Sequence, residues 1–106
     1  MATKNGPLAK TRFNVAELYV GIERSQSPER EEKRILQILE DMEILEFTDT
    51  AARVFGRLTA RLRSIGRPSG DMDVLIAAVA ICNKQALVTR NPRHFAEINE
   101  LTVLSY

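Results

Sequence analysis

Apolar and polar positions along this chain repeat with a helical period in four stretches and as short apolar runs in three others. A short extended piece is expected around 8–13, followed by a helix over about 14–24 with Asn14 as its N-cap. Val15, Leu18 and Ile22 fall at i, i+3 and i+7 there, which makes one apolar stripe. The second helix begins clearly. Ser27 is placed to cap it, Pro28 suits the first helical position, and Glu29, Glu31 and Glu32 load the first turns with negative charge. Ile35, Leu36, Ile38, Leu39 and Met42 should form its buried face. A short strand is expected over 43–47. A third helix, over 49–65, is capped by Thr48 or Asp49, with Ala51, Ala52, Phe55, Leu58, Leu62 and Ile65 as its apolar stripe and Gly66 as its stop. The fourth, over 72–83, is apolar almost all round, as a helix buried on several sides must be. Two short strands, over 86–89 and 102–104, flank one or two helical turns over 92–98.

Helices alternating with short apolar strands argue an α/β fold with a small parallel sheet. A length of 106 residues bounds the chain to one small domain, with 1–7 as a flexible lead-in ending in the turn signal Asn5-Gly6-Pro7. A 44% hydrophobic and 27% charged composition is that of an ordinary globular protein. The single cysteine, Cys82, rules out an internal disulfide, sits in an apolar run and reads as a small buried hydrophobe. That usage is compatible with a reducing cytoplasm. No apolar stretch approaches the roughly 20 residues of a membrane helix, and the start has no secretory h-region.

A net charge of +1 gives no overall footprint for nucleic acid. The distribution is more informative: Arg53, Arg57, Arg61, Arg63 and Arg67 fall in fifteen residues with no acid among them. On a shared face they would make one region electropositive; the simpler reading is a solvated helix face. The aromatics Phe13, Tyr19, Phe47, Phe55 and Phe95 read as core rather than as a base-stacking platform.

Three polar positions stand beside apolar residues rather than in charged runs: Glu17, Asp73 and Asn91. A buried carboxylate without a partner is costly, so it normally has one, or holds a metal. Mg²⁺ is commonly held by one or two carboxylates together with waters and phosphate oxygens. One carboxylate from a helix, one from a helix start and an amide just past a strand end could converge on such a site, at the edge where open α/β sheets place ligands. That arrangement suits metal-assisted phosphodiester hydrolysis. Each residue also has a plainer reading: Glu17 on the solvent side of its helix, Asp71 or Asp73 as a helix cap or a complement to the helix dipole, Asn91 as a turn residue before Pro92. His94 has no second ligand at metal spacing and reads as structural or exposed. No phosphate loop, nucleophile elbow, zinc motif or dinucleotide fingerprint is present.

Three segments narrow this. Asn14-Val15-Ala16-Glu17-Leu18-Tyr19-Val20-Gly21, Asp73-Val74-Leu75-Ile76-Ala77-Ala78-Val79-Ala80 and Leu87-Val88-Thr89-Arg90-Asn91-Pro92-Arg93-His94-Phe95 resemble, in order and separation, motifs of the PIN-domain family, in particular VapC-type toxin ribonucleases. The resemblance runs from about residue 8 to the end. It implies a three-layer α/β/α fold around a parallel sheet. Glu17 then matches the family's second acidic ligand, Asp73 the third, and Asn91 a fourth position that is often Asp. Thr89 matches a polar residue lining the same site. By the same resemblance the cofactor is Mg²⁺ or Mn²⁺, the substrate is RNA, the partner is a cognate antitoxin protein, and the chain is a cytoplasmic homodimer with no membrane association.

Family members open with a central strand that ends in the first catalytic aspartate, and no such segment precedes residue 8 here. The expectation is therefore a fold lacking that strand, with Asp71 as a candidate substitute and with weakened or absent activity. Three outcomes stand open: a start further upstream, pairing borrowed from a partner or a second copy, or direct closure of the remaining strands. The alternative to an enzyme is a non-catalytic PIN-like module that binds an antitoxin, or binds RNA through its arginines.

Overall fold

The computed structural model describes residues 9–89 and 91–105; the expected lead-in over 1–7 lies outside them. Strand β1 (Ala9–Thr11) runs directly into helix α1 (Arg12–Arg24), followed by α2 (Pro28–Leu39) and strand β2 (Glu43–Leu45). Helices α3 (Asp49–Ser64) and α4 (Asp71–Cys82) come next, then strand β3 (Leu87–Thr89), a 3₁₀ turn over Pro92–Phe95, and strand β4 (Val103–Ser105).

The residue types explain the boundaries. Thr11, not Asn14, is the N-cap of α1. Thr11 and Asn14 form a reciprocal capping box, in which the Asn14 N–H donates to Thr11 Oγ1 (3.1 Å) and the Thr11 N–H donates to Asn14 Oδ1 (3.1 Å). Both residues are good caps, and Thr11 wins because Asn14 can then answer it from the third helical position. Helix α3 starts where Thr48 Oγ1 accepts the Ala51 N–H, and it ends before Gly66, whose φ of +69° is left-handed. Asp71 and Asp73 do not cap α4, whose N-cap is Gly70 without a side-chain capping bond; both lie in its first turn, where their charge complements the helix dipole.

Helix α4 organises the core. Val74 and Ile76 to Ala80 are all buried, which bears out the reading of a helix covered on several sides. Against one face pack Leu58 and Leu62 of α3, together with Phe95, Ile98 and Leu101 from the segment after β3. On another, Val79 joins Leu45 of β2 and Ala51 of α3, with Phe13 and a partly buried Cys82 at the margin. The small side chains of Ala77, Ala78 and Ala80 bring α3 close to the α4 backbone.

The fold is α/β and, among the described residues, both strand pairings are parallel, as expected. The strands nevertheless form two separate two-stranded sheets: β1 with β2, registered Ala9 to Glu43, and β3 with β4, registered Leu87 to Val103. No ladder joins the pairs among the described residues, so direct closure into one sheet is not what the chain does there.

Helix α2 departs most from its reading. Only Ile35 is buried, while Leu36 and Ile38 are 45% and 44% exposed. The cause is position: among the described residues α2 packs mainly on α1, which covers only part of a wide apolar face. Tyr19 and Val20 of α1 are likewise exposed, as are Phe47 and Ile65, so these do not belong to the core.

Leu58 is fully buried between α3 and α4. Leu58→Ala should cost about 2–5 kcal/mol through lost burial and a cavity, whereas Ile38→Ala should stay within about 0.5 kcal/mol. Equilibrium urea denaturation of the two variants checks the ranking.

Candidate functional site

The capping box fixes where α1 begins, and that places Asn14 and Glu17 on one side of the helix, one turn apart. Asp73 is the third residue of α4. Its carboxyl is not used as a cap, so it faces outward at 31% exposure beside the buried Val74. Thr89 ends β3, and its hydroxyl accepts the Asn91 N–H (3.0 Å), a short turn that fixes Asn91 just past the strand. The Asn91 side chain makes no capping bond to the 3₁₀ turn that follows, which leaves its amide unused by the local backbone.

These elements converge on one cleft of about 190 Å³. Glu17 and Asn14 line it from α1, Asp73 and Ile76 from α4, and Thr89 with Leu87 from β3. Asn91, His94 and Phe95 complete the wall. All four residues singled out from the sequence (Glu17, Asp73, Thr89 and Asn91) are thus brought together, at the carboxyl end of a parallel strand. Glu17 is exposed, as its plainer reading had it, yet it borders the cleft rather than open solvent alone. Asp71 is exposed and does not line the cleft.

His94 is the residue that sequence reasoning missed. Its Nδ1 lies 3.4 Å from Asp73 Oδ2, long for a strong hydrogen bond but within direct reach. The juxtaposition follows from the core: Phe95 and Val74, the next residues along each segment, are buried in the same apolar cluster. The signal was the buried neighbour on each side, not any spacing between ligands along the chain.

The donors fit a hard divalent cation in kind. Two carboxylates, an amide and a hydroxyl oxygen suit Mg²⁺ or Mn²⁺, which retain waters and take few protein ligands. In number they are sparse: among the described residues no group of three or more His, Cys, Asp or Glu is placed to hold an ion.

The arginine run resolves differently. Arg53, Arg57 and Arg61 follow an i, i+4 spacing along α3, and each is engaged by the chain itself. Arg53 pairs with Asp49 (3.1 Å), Arg57 with Glu100 (2.7 Å), and Arg61 donates to the Glu97 carbonyl (2.6 Å). The last two tie α3 to the segment that carries Asn91 and His94. The hydrogen bond from Arg57 holds the Glu100 carboxyl below its ordinary value of 4.5, with the charges of Arg57 and Arg61 adding to it against partial desolvation.

Residues 2–101 match the PIN-domain family. The chain belongs to that family. As a PIN domain it is similar to ribonuclease VapC2 of Rickettsia felis, 31% identical over 101 residues, covering 95% of this chain and 75% of that protein. It is 36% identical over 93 residues to ribonuclease VapC2 of Haemophilus influenzae, covering 88% of this chain and 70% of the other. The crystal structure of VapBC2 from Rickettsia felis bound to a DNA fragment from their promoter superposes with a TM-score of 0.90 at 30% identity, over 97% of this PIN domain and 77% of that chain. Among the described residues no helix is long and apolar enough to cross a membrane.

The depressed Glu100 carboxyl gives a signed pH effect. Its pairing with Arg57 stabilises the fold fully above the ordinary carboxyl value and is lost as pH falls through the lowered one. Arg57→Ala should therefore lower the melting temperature slightly at neutral pH and leave it unchanged at pH below the lowered carboxyl value, a small difference because the pair is exposed.

Proposed function

We propose that this PIN domain is a metal-dependent endoribonuclease of the VapC toxin type, acting as a single domain and controlled by a cognate antitoxin. One observation carries the reading. Glu17, Asp73, Thr89 and Asn91, drawn from two helices and a strand end far apart in sequence, line one cleft. The ribonuclease relatives and the VapBC2 likeness supply the reaction class.

In this reading Glu17 and Asp73 hold Mg²⁺ or Mn²⁺, with the Asn91 amide as a neutral oxygen donor. When bound, such an ion neutralises charge developing on a phosphodiester and lowers the pKa of coordinated water. The chain's own groups do the rest. Thr89, through its bond to the Asn91 N–H, fixes the turn and so the direction of the Asn91 side chain. Ile76, Leu87 and Phe95 make one wall apolar, which strengthens electrostatic interactions in the cleft. His94 sits against Asp73 and limits the positions its carboxyl can take. With two carboxylates in the cleft, ion affinity should be low.

Partner binding has support of its own. Tyr19, Val20, Leu36 and Ile38 leave apolar surface open on α1 and α2, a feature that marks interaction surfaces when contiguous. An antitoxin and a second copy of the chain are the occupants this reading implies. Action on RNA carries a cytoplasmic location with it.

The sparseness of the ligand set favours one competing reading, a non-catalytic PIN module that binds an antitoxin. Metal titration separates the two. Mn²⁺ at about ten times its dissociation constant stabilises the folded state by about 1.4 kcal/mol, which raises the melting temperature by several degrees. Glu17→Gln or Asp73→Asn should remove that shift and lower Mn²⁺-dependent cleavage of RNA by roughly 10²-fold or more, the scale for losing a group that supports transition-state charge. Absence of any Mn²⁺ shift, together with no cleavage, selects the binding module instead.

A further inference from the structure

The walls of the carboxylate cleft are not equally well held. Glu17 and Asp73 stand on α1 and α4, helices whose backbones hydrogen-bond along their own length. Asn91 and His94 stand on the segment after β3, which contains only a 3₁₀ turn. Within it the N–H groups of His94, Ala96, Ile98 and Leu101 each donate to the carbonyl three residues back. Bonds of that kind have poor geometry and rarely sustain more than a few residues. This wall therefore has to be fixed from outside.

Two kinds of contact do so. Phe95, Ile98 and Leu101 are buried in the cluster around α4. Apolar contact is non-directional, so it sets how deep the segment sits but not which way it turns. The directional contact comes from α3. Arg61 Nη2 donates to the Glu97 carbonyl at 2.6 Å, in a partly buried setting. Among the described residues it is the one hydrogen bond from another element to the backbone of residues 92–101. A guanidinium donor makes it charge-assisted, and so stronger than a neutral bond. The neighbouring pair of Arg57 and Glu100 joins two exposed side chains and constrains the backbone less.

We propose that Arg61 is a positioning residue for the carboxylate cleft, acting from behind its wall through the Glu97 carbonyl. The proposal rests on the ribonuclease reading and adds to it a residue outside the cleft. Glu97 lies three residues beyond His94, and both border a cleft of about 630 Å³ that shares Asp73 with the carboxylate cleft. Arg61 borders neither cleft. Without its bond the segment keeps three apolar contacts and is free to turn about them. His94, held 3.4 Å from Asp73 only by the backbone beneath it, then leaves the carboxylate. The Asn91 amide is displaced with it. Because the acceptor is a backbone oxygen, the Glu97 side chain is dispensable for this role, whereas the charge and reach of residue 61 are not.

His94 is the only histidine of the chain, so its ring protons are read directly by NMR. In the metal-free chain they should show a nuclear Overhauser contact to the Asp73 β protons. Arg61→Ala should abolish that contact. It should also speed amide exchange at Ala96, Ile98 and Leu101 roughly ten-fold or more, the scale of losing a hydrogen bond to a charged group. Leu58→Ala, which weakens the core without removing the strap, should instead raise exchange throughout α3 and α4. Arg61→Lys retains a charged donor and Glu97→Ala retains the carbonyl, so both should keep the contact. The Mn²⁺ concentration that broadens the His94 resonance should rise several-fold in Arg61→Ala. A contact that survives Arg61→Ala, or is lost equally in Glu97→Ala, overturns the strap. So does a loosened segment with unchanged Mn²⁺ affinity. No Mn²⁺ broadening in the unaltered chain removes the metal reading, and loss of the contact in Arg61→Ala then still upholds the strap.

Discussion

Burial of α4 on more than one face is the constraint from which the rest follows. A helix with Val74 and Ile76 to Ala80 all removed from water must be covered from several directions. α3 supplies one cover, the segment from Phe95 to Leu101 another, and β2 with the first turn of α3 a third. Polar residues tolerated on such a helix are confined to its ends. Asp73 is therefore held at the opening of the buried region, and whatever packs against Val74 is carried to its side. Phe95 does so and brings His94 with it. The cleft is a by-product of closing the core.

Much of this was legible in the sequence where a single physical rule dominates. The all-round apolarity of α4 and the Pro28 start of α2 both read correctly. So did the left-handed Gly66 and the strand run Leu87-Val88-Thr89, because each depends on local chemistry. The rest depends on neighbours. Asn14 looked like a cap because it is one of the cap-forming residues. That Thr11 takes the role required knowing that the chain arrives extended from β1. Leu36 and Ile38 carry the right period for a buried face, yet periodicity does not say how many neighbours a helix will have. Strand pairing is likewise a property of the assembled chain: three short apolar runs and one extended piece do not reveal that they associate two by two.

The candidate site shows the same division. Glu17, Asp73 and Asn91 were found because their polarity interrupts apolar surroundings, and that is local; Thr89 was found only through the resemblance to the family. His94 was set aside because no ligand stands near it along the chain; its neighbour, Asp73, arrives through folding. The arginines of α3 suggested a nucleic-acid face because no acid interrupts them. The groups that answer Arg57 and Arg61, the Glu100 carboxylate and the Glu97 carbonyl, lie on a segment that only the fold brings alongside.

That arrangement works as electrostatic insulation. A row of guanidinium groups left bare on α3 would offer any polyanion a broad, indiscriminate landing surface, and most encounters would end away from the carboxylates. Because Asp49, Glu100 and the Glu97 carbonyl engage Arg53, Arg57 and Arg61, the long-range attraction of these three is muted. Adhesion to those three arginines is thereby reduced without lowering the number of positive charges on the chain.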